Sequence, residues 1–597
     1  MTFPALFTLI VTLVAAVLLI SEKLRPDLAA LLVLAALGIS GVVTPAETFA
    51  GFGGSAVMTI VAISIISEGL RQTGVTRSLG RLMYRLAGAS ESRQILVAIL
   101  TSAALSLVMN NIAAVGVLLP AVMTLARRGK IAPSRLMMPL AYGTVLGGMA
   151  TLLTTANLIV SGALRDAGHK PFGLLDFLPI GGPIVLVGTL YMLTLGRKLM
   201  PRRNEDGDAA PQQLHQTLSR LYGLEQNLHE IEVLQASPLA GRSIAAGRWA
   251  QSAHLHIVSI TRGERVILAP NAEETVLTGD RLLVQGHPDP ILLEGLGLHQ
   301  RHGARESLEV TDAGITLAEL VITPHGALAG RSLQQVDFRE NYNLNVLGIW
   351  REGHPIQENL AELKLRVGDA LLVQGEAARL QMLQHHPDLV LLEEDPDAAR
   401  RPRKFNLALI ITLATLVLAA LDIFPIAVVT FAGAGMLLLT GCMDMNDAYR
   451  TIEWKAVFLI AGMWPLSTAI RTTGLADQAI QGLLGVLGDT LPLVVALALI
   501  LVALLITQIM SSQVAALVLA PLALVAAGQV GVDPRALGMA VALGCSLCFP
   551  TPFGHPVNIM VMTPGGYAFR DYMRVGLPLT VIVIGVILLG LKVFWGM

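Results

Sequence analysis

Apolar positions gather in two blocks of the chain. Residues 1–200 and 404–597 are dense in Leu, Val, Ala, Ile and Gly, while residues 201–403 hold most of the charges. A bilayer crossing takes about 20 predominantly apolar residues. The first block supplies such runs near 4–22, 27–44, 54–70, 136–162 and 177–197. The second supplies them near 405–422, 424–441, 454–472, 536–562 and 577–595. Two further apolar stretches, 94–126 and 490–527, are too long for one helix and carry polar residues near their centres. The pattern predicts a polytopic α-helical membrane protein in two halves, 1–200 and 404–597, around a polar insert. The first run has no basic stretch ahead of it and a second apolar run follows at once, so it reads as a helix and not as a cleaved leader.

Basic residues orient the spans, because Lys and Arg favour the cytoplasmic side. Arg71, Arg77, Arg81 and Arg85 follow the third run, and Arg127, Arg128, Lys130 and Arg135 follow the stretch 94–126. Both connections are expected to be cytoplasmic loops, so 94–126 enters and leaves on one side as a re-entrant hairpin turning near Asn110-Asn111. The insert starts and ends in basic clusters, Arg202-Arg203 and Arg400-Arg401-Pro402-Arg403-Lys404. It is expected in the cytoplasm of a cell with this chain in its inner membrane, with both termini outside.

Composition narrows the class. Hydrophobic residues make up 53% of the 597 and charged residues 14%, against about 25% charged in soluble domains. Mean hydropathy is +0.64. A disordered chain and an ordinary soluble enzyme are excluded, and three cysteines cannot make a disulfide framework. A net charge of -1 offers no basic field for nucleic acid.

Two internal repeats emerge. Met109-Asn110-Asn111 through Pro120 recurs as Met510-Ser511-Ser512 through Pro521, and Asn157 recurs as Asn558, both 401 positions on. Each half counts five crossings and one hairpin, so the second copy is inverted. Inverted repeats with broken helices are typical of secondary transporters. Inside the insert, Leu239-Ala240-Gly241-Arg242-Ser243 recurs as Leu328-Ala329-Gly330-Arg331-Ser332, 89 positions on. Gly279-Asp280 before Leu282-Leu283-Val284-Gln285-Gly286 recurs at the same spacing as Gly368-Asp369 before Leu371-Leu372-Val373-Gln374-Gly375. Alternation over His254–Ile260 reads as a strand. We expect a linker at 201–228 and two small α+β domains at 229–300 and 301–403. Gly295-Leu296-Gly297 has Gln300 where a third glycine would complete a dinucleotide fingerprint.

A polar solute inside a bilayer needs hydrogen-bond partners, and non-helical backbone is tolerated there only in protein or beside a cavity. Four polar clusters qualify: Asn110-Asn111, Ser511-Ser512-Gln513, Gly147 through Thr154, Thr155 and Asn157, and Pro550-Thr551-Pro552-Phe553-Gly554-His555-Pro556-Val557-Asn558. Interhelical hydrogen bonding is the plainer role for such residues, but matched positions in two repeats favour a site. Expected substrate contacts are Asn110, Asn111, Thr154, Thr155, Asn157, Ser511, Ser512, Gln513, Thr551, His555 and Asn558. Expected Na⁺ ligands are Asn111, Gly148, Asn157, Ser512, Gly554 and Asn558, since such oxygens are hard donors. Acidic residues are scarce in these segments, which favours an anionic or neutral solute. Glu68 reads as interfacial, His555 as a proton acceptor, a substrate donor or a packed neutral ring, and Cys545-x-x-Cys548 as helix packing. No nucleophile–base pair points to an enzyme, and no cofactor is required.

The chain resembles the divalent anion:sodium symporter family, in the branch with an inserted pair of regulatory domains. The resemblance rests on Gly69-Leu70-Arg71-Gln72-Thr73-Gly74, Asn110-Asn111 through Pro120, Gly147-Gly148 through Asn157, and Asn558 through Pro564-Gly565-Gly566-Tyr567 to Pro578. It implies a homodimer, elevator-type alternating access and Na⁺-coupled import of sulfate, a dicarboxylate or a similar anion. The family's hairpin signature is Ser-Asn-Thr. Here Asn111 matches the first Asn, flanked by Asn110 and Ile112, and Ser512 stands at the second Asn position. The insert resembles the C-terminal regulatory subdomain of potassium-uptake proteins (RCK-C or TrkA-C type), present twice, which implies a nucleotide or other small regulatory ligand. A proton-driven carrier or exporter and a transporter-derived membrane sensor are the rival readings.

Overall fold

The computed structural model describes residues 2–202, 228–391 and 404–597, apart from 22–23, 89, 130 and 488–490 and, in the middle stretch, 236, 245–254, 264, 269, 271–272, 287–289, 302–314, 324–327, 343, 352–353, 357–358, 377–378, 381–382, 384–385 and 387. Most of the expected linker 201–228, residues 302–314 of the expected second insert domain, the basic run at 400–403 and His254 lie outside the described residues. The chain forms two compact units, Met1–Arg203 with Asp395–Met597, and Asn204–Glu394.

Among the described residues of the first unit, ten α-helices of five residues or more follow in the same order in each half. The first half has α1 Phe3–Ser21, α2 Pro26–Ile39, α3 Pro45–Phe49, α4 Ser55–Gln72, α5 Val75–Ala87, α6 Glu91–Ser106, α7 Asn111–Arg128, α8 Met137–Gly148, α9 Thr155–Asp166 and α10 Leu178–Tyr191. The second has α11 Phe405–Ala420, α12 Ile426–Leu439, α13 Met445–Thr451, α14 Trp454–Thr472, α15 Leu475–Leu487, α16 Pro492–Thr507, α17 Ser512–Val530, α18 Pro534–Gly544, α19 Pro556–Met562 and α20 Phe569–Trp595. Helix α10 continues through a π turn at Met192–Gly196 into Arg197–Leu199. Among the described residues, four helical stretches are long and apolar enough to cross a membrane: Pro45–Gln72, Leu178–Leu199, Ser512–Val530 and Phe569–Trp595.

The two long apolar stretches are helical hairpins, α6–α7 and α16–α17. The first arms, α6 and α16, have 16 residues each. At 1.5 Å per residue they reach about 24 Å, short of the roughly 30 Å hydrocarbon core. The runs 136–162 and 536–562 are each broken in the middle, into α8–α9 and α18–α19.

One expectation fails here. The stretch after α4 is not a loop but the helix α5, with a mate in α15. Met83 and Ala87 are fully buried while Arg81 and Arg85 are exposed. That is an amphipathic stripe, too polar for a span and therefore passed over by a hydropathy reading. Both helices are entered through a glycine in the left-handed region, Gly74 at φ 74° and Gly474 at φ 75°.

The second unit holds two five-stranded antiparallel sheets. The first has β1 Leu228–Val233, β2 Leu255–Arg262, β3 Arg265–Leu268, β4 Arg281–Gly286 and β5 Leu298–Arg301, in the order β3-β2-β4-β1-β5. The second has β6 Ile315–Ile322, β7 Asn345–Arg351, β8 His354–Ile356, β9 Ala370–Glu376 and β10 Leu389–Leu391, in the order β10-β6-β9-β7-β8. Substituting each strand by its repeat mate turns one order into the other. Even the bulge recurs, at Ile257/Ser259 and at Val346/Gly348. Each sheet covers its own core, Ile231, Ile260, Leu282 and Val284 in one, Leu320, Ile349, Leu371 and Val373 in the other.

The Gly-Asp pairs explain how β4 and β9 begin. Gly279 and Gly368 take φ of 82° and 84°, so the chain turns sharply. The aspartate that follows reaches back under the sheet. Asp280 accepts from Arg262 Nε and Nη2, both at 2.9 Å. Asp369 accepts from Arg351 Nε at 2.8 Å and Nη2 at 2.6 Å.

Candidate functional site

The site is built on the two breaks. Residues 149–154 join α8 to α9 and residues 545–555 join α18 to α19 without helical backbone. Their main chain would be costly in an apolar medium unless its carbonyls found donors. Two asparagines supply them. Asn157 Nδ2 donates to Thr151 O at 2.7 Å. Asn558 Nδ2 donates to Cys548 O at 2.7 Å and to Thr551 O at 3.0 Å. Both residues are fully buried. Because their amide nitrogens face carbonyls, the orientation of each amide is fixed by its partners.

The other end of each amide is unanswered. Asn157 Oδ1 and Asn558 Oδ1 are buried with no hydrogen-bond partner, as is Thr154 Oγ1. A buried acceptor without a donor costs about 1–3 kcal/mol, and water or an ion commonly answers such atoms. The two asparagine oxygens stand at repeat-related positions, one in each break.

Other groups hold the loops rigid. Tyr142 Oη donates to Phe549 O at 2.7 Å, and Tyr572 Oη donates to Asn558 O at 2.6 Å. Two glycines seat the breaks against the last helix of each half. A methyl group on Gly181 of α10 would lie 2.3 Å from Ala150 Cα, and one on Gly576 of α20 would lie 2.0 Å from Phe549 O. Neither backbone neighbour can yield as a side chain would. Gly576→Ala and Gly181→Ala are each expected to cost about 1–3 kcal/mol or more and to displace the break they face. Thermal unfolding of the detergent-solubilised protein checks this, with exposed Gly585, which has open space around it, as the control substitution.

The hairpins meet the breaks. Asn111 opens α7 and its Oδ1 accepts from Ser106 Oγ at 2.5 Å. A methyl group on Gly148 would lie 3.0 Å from Asn111 Oδ1 and 2.8 Å from Thr154 Cγ2, so Asn111, Gly148 and Thr154 are in contact. In the second half Thr551 Oγ1 donates to Gln508 Oε1 at 2.8 Å and accepts from Gly554 N at 3.1 Å. The halves also interleave. Helix α9 packs on α17, and α19 packs on α7 and α8, so each broken helix meets the other half's hairpin.

Some expected residues do other work. Asn110 Nδ2 donates to Glu453 Oε1 at 2.6 Å, and its Oδ1 accepts from Ile112 N at 3.0 Å. It caps α7 and ties the hairpin tip to the start of α14. A hydrogen bond to a charged group is worth about 1.5–3 kcal/mol. Glu453→Ala is expected to lower unfolding stability by that amount and Glu453→Gln by less, read by thermal unfolding. His555 caps α19, its Nδ1 accepting from Val557 N at 3.2 Å. Thr155, first residue of α9, is half-buried, as are Ser512 and Gln513, while Ser511 is exposed and caps nothing with its side chain. Glu68 stays outside the cluster, paired with Arg71 at 2.5 Å and accepting from Gln72 at 2.8 Å. Cys545 and Cys548 are buried free thiols, and the described residues contain no group of three His, Cys, Asp or Glu that could hold a metal ion.

Residues 16–544 match the model of the CitMHS citrate transporter family. The chain belongs to that family. It is an integral membrane transporter and not an enzyme. It is similar to the uncharacterized transporter sll0640 of Synechocystis sp., 32% identical over 587 residues, or 96% of this chain and 94% of the relative. It is similar to the uncharacterized transporter YfbS of Escherichia coli, 31% identical over 595 residues and 96% of each chain. A Chlamydomonas reinhardtii protein named probable sodium/sulfate cotransporter 3 is 21% identical across 96% of this chain and 87% of its own length. Among solved structures, the Alcanivorax borkumensis YdaH transporter aligns over 99% of this chain and 98% of that one, at 14% identity and a TM-score of 0.43.

Several residues that hold the breaks and hairpins together escaped the sequence reading. Gln508 left a signal, an amide at the end of the apolar run Pro492–Thr507. Ser106, Tyr142 and Tyr572 are ordinary polar residues in membrane helices and announce nothing by type. Gly181 and Gly576 are visible only once the packing is known.

Proposed function

We propose that the protein is a secondary active transporter that imports a small multivalent anion, a sulfate-like oxyanion or a short carboxylate, together with Na⁺. One observation carries this reading: the buried, unanswered oxygens of Asn157 and Asn558 at repeat-related positions. Amide oxygens are hard donors suited to Na⁺. Residues 149–157 and 545–558 contain no Lys or Arg, so a bound cation supplies the positive charge an anion needs. The hydroxyls of Thr154 and Thr155, the Asn111 amide and the N–H groups opening α9 are donors for the anion, while Thr551 gives its one hydroxyl hydrogen to Gln508 and braces the break. Ser512, Gln513, Ser511, His555 and Asn110 line or brace the same region in this reading, with Gly148 and Gly554 lending backbone close to the cation.

The relatives fit. Chlamydomonas reinhardtii proteins named sodium/sulfate cotransporter 2 and sodium/sulfate cotransporter 1 are each 27% identical over 48% and 46% of this chain. The matching family model is named for citrate. Membership of the divalent anion:sodium symporter group, a homodimer, an elevator motion of the hairpins and broken helices, a cell-membrane location and a cytoplasmic insert belong to the same proposal. The insert then acts as a twin regulatory module of the RCK-C type, binding a nucleotide or another small ligand. The capping role of His555 Nδ1 speaks against a proton relay through that ring.

The test is uptake into proteoliposomes of labelled sulfate, citrate and succinate under an inward Na⁺ gradient. Accumulation of at least one anion, blocked by excess of the same unlabelled anion, is the expected result. Flux of none, from protein that is folded and ion-responsive in detergent, would replace transport by sensing.

A further inference from the structure

Resting on the reading above, we infer that the second half of the cation site takes its hairpin amide from Gln508, in the arm before the turn, and not from the turn itself. The first half sets the pattern. Asn111, at the start of the outgoing arm, holds its amide against Gly148 and Thr154, with a Gly148 methyl 3.0 Å from Oδ1 and 3.4 Å from Nδ2. The repeat offset of 401 puts Ser512 at the position of Asn111 and Gln508 at the position of Leu107. Leu107 carries no polar group, and Ser512 is one heavy atom too short to present an amide-like oxygen at the same reach. Each hairpin therefore has an amide facing its break, Asn111 in the first and Gln508 in the second, on opposite sides of the turn.

The surroundings of Gln508 match that role. Its Nε2 donates to Leu504 O at 3.1 Å in its own arm and to Leu547 O at 3.2 Å in the break. Both amide hydrogens are thereby committed to main-chain carbonyls, which fixes Oε1 on the other side. Oε1 accepts from Thr551 Oγ1 at 2.8 Å, and a methyl group on Gly554 would lie 3.0 Å from it. An amide oxygen has two lone pairs, so one remains. Thr551 is also the residue whose carbonyl takes the Asn558 amide at 3.0 Å. Gln508, Thr551 and Asn558 form one connected network, and at its far end Asn558 Oδ1 is buried without a partner. By contrast, Ser511 is exposed and its side chain makes no capping bond. Gln508 is thus the oxygen donor and positioning residue that Ser512, at the position of Asn111, does not supply.

The swap predicts rescue. Purified full-length protein is titrated with Na⁺ at constant total NaCl plus KCl, following the thermal unfolding midpoint. Gln508→Leu is expected to raise the Na⁺ concentration for half-maximal stabilisation about 10-fold, the scale of one lost polar contact. Gln508→Glu, which keeps the oxygen, is expected to stay closer to the wild type. Adding Ser512→Asn to Gln508→Leu rebuilds the first half's arrangement and is expected to bring the midpoint back to within about 3-fold of the wild type. A purely structural role for Gln508 would lower the unfolding temperature equally in K⁺ and Na⁺ and would not shift this midpoint. A wild-type Na⁺ curve in Gln508→Leu, or a double variant no better than the single one, overturns the inference. If Gln508→Leu does not fold, Gln508→Met decides by the same criterion. Asn558→Ala, run in parallel, separates the two claims. Loss of the Na⁺ response there but not in Gln508→Leu removes this inference and leaves the transport reading standing. No Na⁺ response in the wild type removes both.

Discussion

Asn558→Ala is expected to abolish Na⁺-dependent behaviour and to loosen the break between α18 and α19. The amide does two jobs. Its nitrogen closes the carbonyls of Cys548 and Thr551, and in the proposed function its oxygen binds the ion. Loss of one oxygen ligand is worth about 1–3 kcal/mol, or roughly 5- to 150-fold in Na⁺ affinity. Two carbonyls are left without donors in a dry place, at a further cost of the same order each. Asn157→Ala should lose a similar factor in affinity with less structural damage, because Asn157 holds one carbonyl, Thr151 O, where Asn558 holds two. Na⁺ titration of both variants, with size-exclusion chromatography to confirm folding, reads the difference. Equal affinity in wild type and both variants would remove these oxygens from the cation site.

In the insert the largest effect is expected at Asp369. Its side chain is 2% exposed and that of its partner Arg351 is 13% exposed. The carboxylate also accepts from Arg366 N at 2.7 Å, and Arg351 Nη2 reaches Lys364 O at 2.8 Å. Asp369→Ala takes the paired carboxylate away from the buried guanidinium of Arg351 and leaves a turn without its acceptor. Breaking such a pair costs about 3–5 kcal/mol, comparable with the whole stability of a small domain, about 5–15 kcal/mol. The second sheet should open to trypsin far faster than in the wild type. Asp280→Ala should do less, because its partner Arg262 is 33% exposed and water can take over part of the charge. Mapping the cleavage sites in full-length protein checks both. Protection equal to the wild type in Asp369→Ala would mean the pair is dispensable.

How much of this was legible beforehand follows from what each signal needs. The spans and the breaks were readable, because burial in lipid demands long apolar runs and Pro550, Pro552 and Pro556 cannot continue a helix. The repeat made Asn157 and Asn558 readable as a matched pair, and each amide closes carbonyls of its break. The amphipathic α5 was missed, because its arginines cancel its apolar face in any average along the chain. The bond of Asn110 to Glu453 left no trace in the sequence, since the two residues lie 343 positions apart. Gln508 was passed over because the repeat drew attention to the turn, whereas an amide can reach the same break from the preceding arm. Contacts such as Gly576 on Phe549 have no trace in sequence, since a small residue in a helix looks the same whether or not a backbone lies against it.

The central claim is that Na⁺ held at the two asparagine amides drives the anion across the membrane. Its most direct test is accumulation of the accepted anion in proteoliposomes loaded with that anion at the outside concentration, so that the Na⁺ gradient is the sole driving force. Uphill accumulation that vanishes when K⁺ replaces Na⁺, and that is absent in Asn157→Ala and Asn558→Ala, is the predicted result. Accumulation that persists in K⁺, or that follows an imposed pH gradient and is unchanged in both variants, would contradict it.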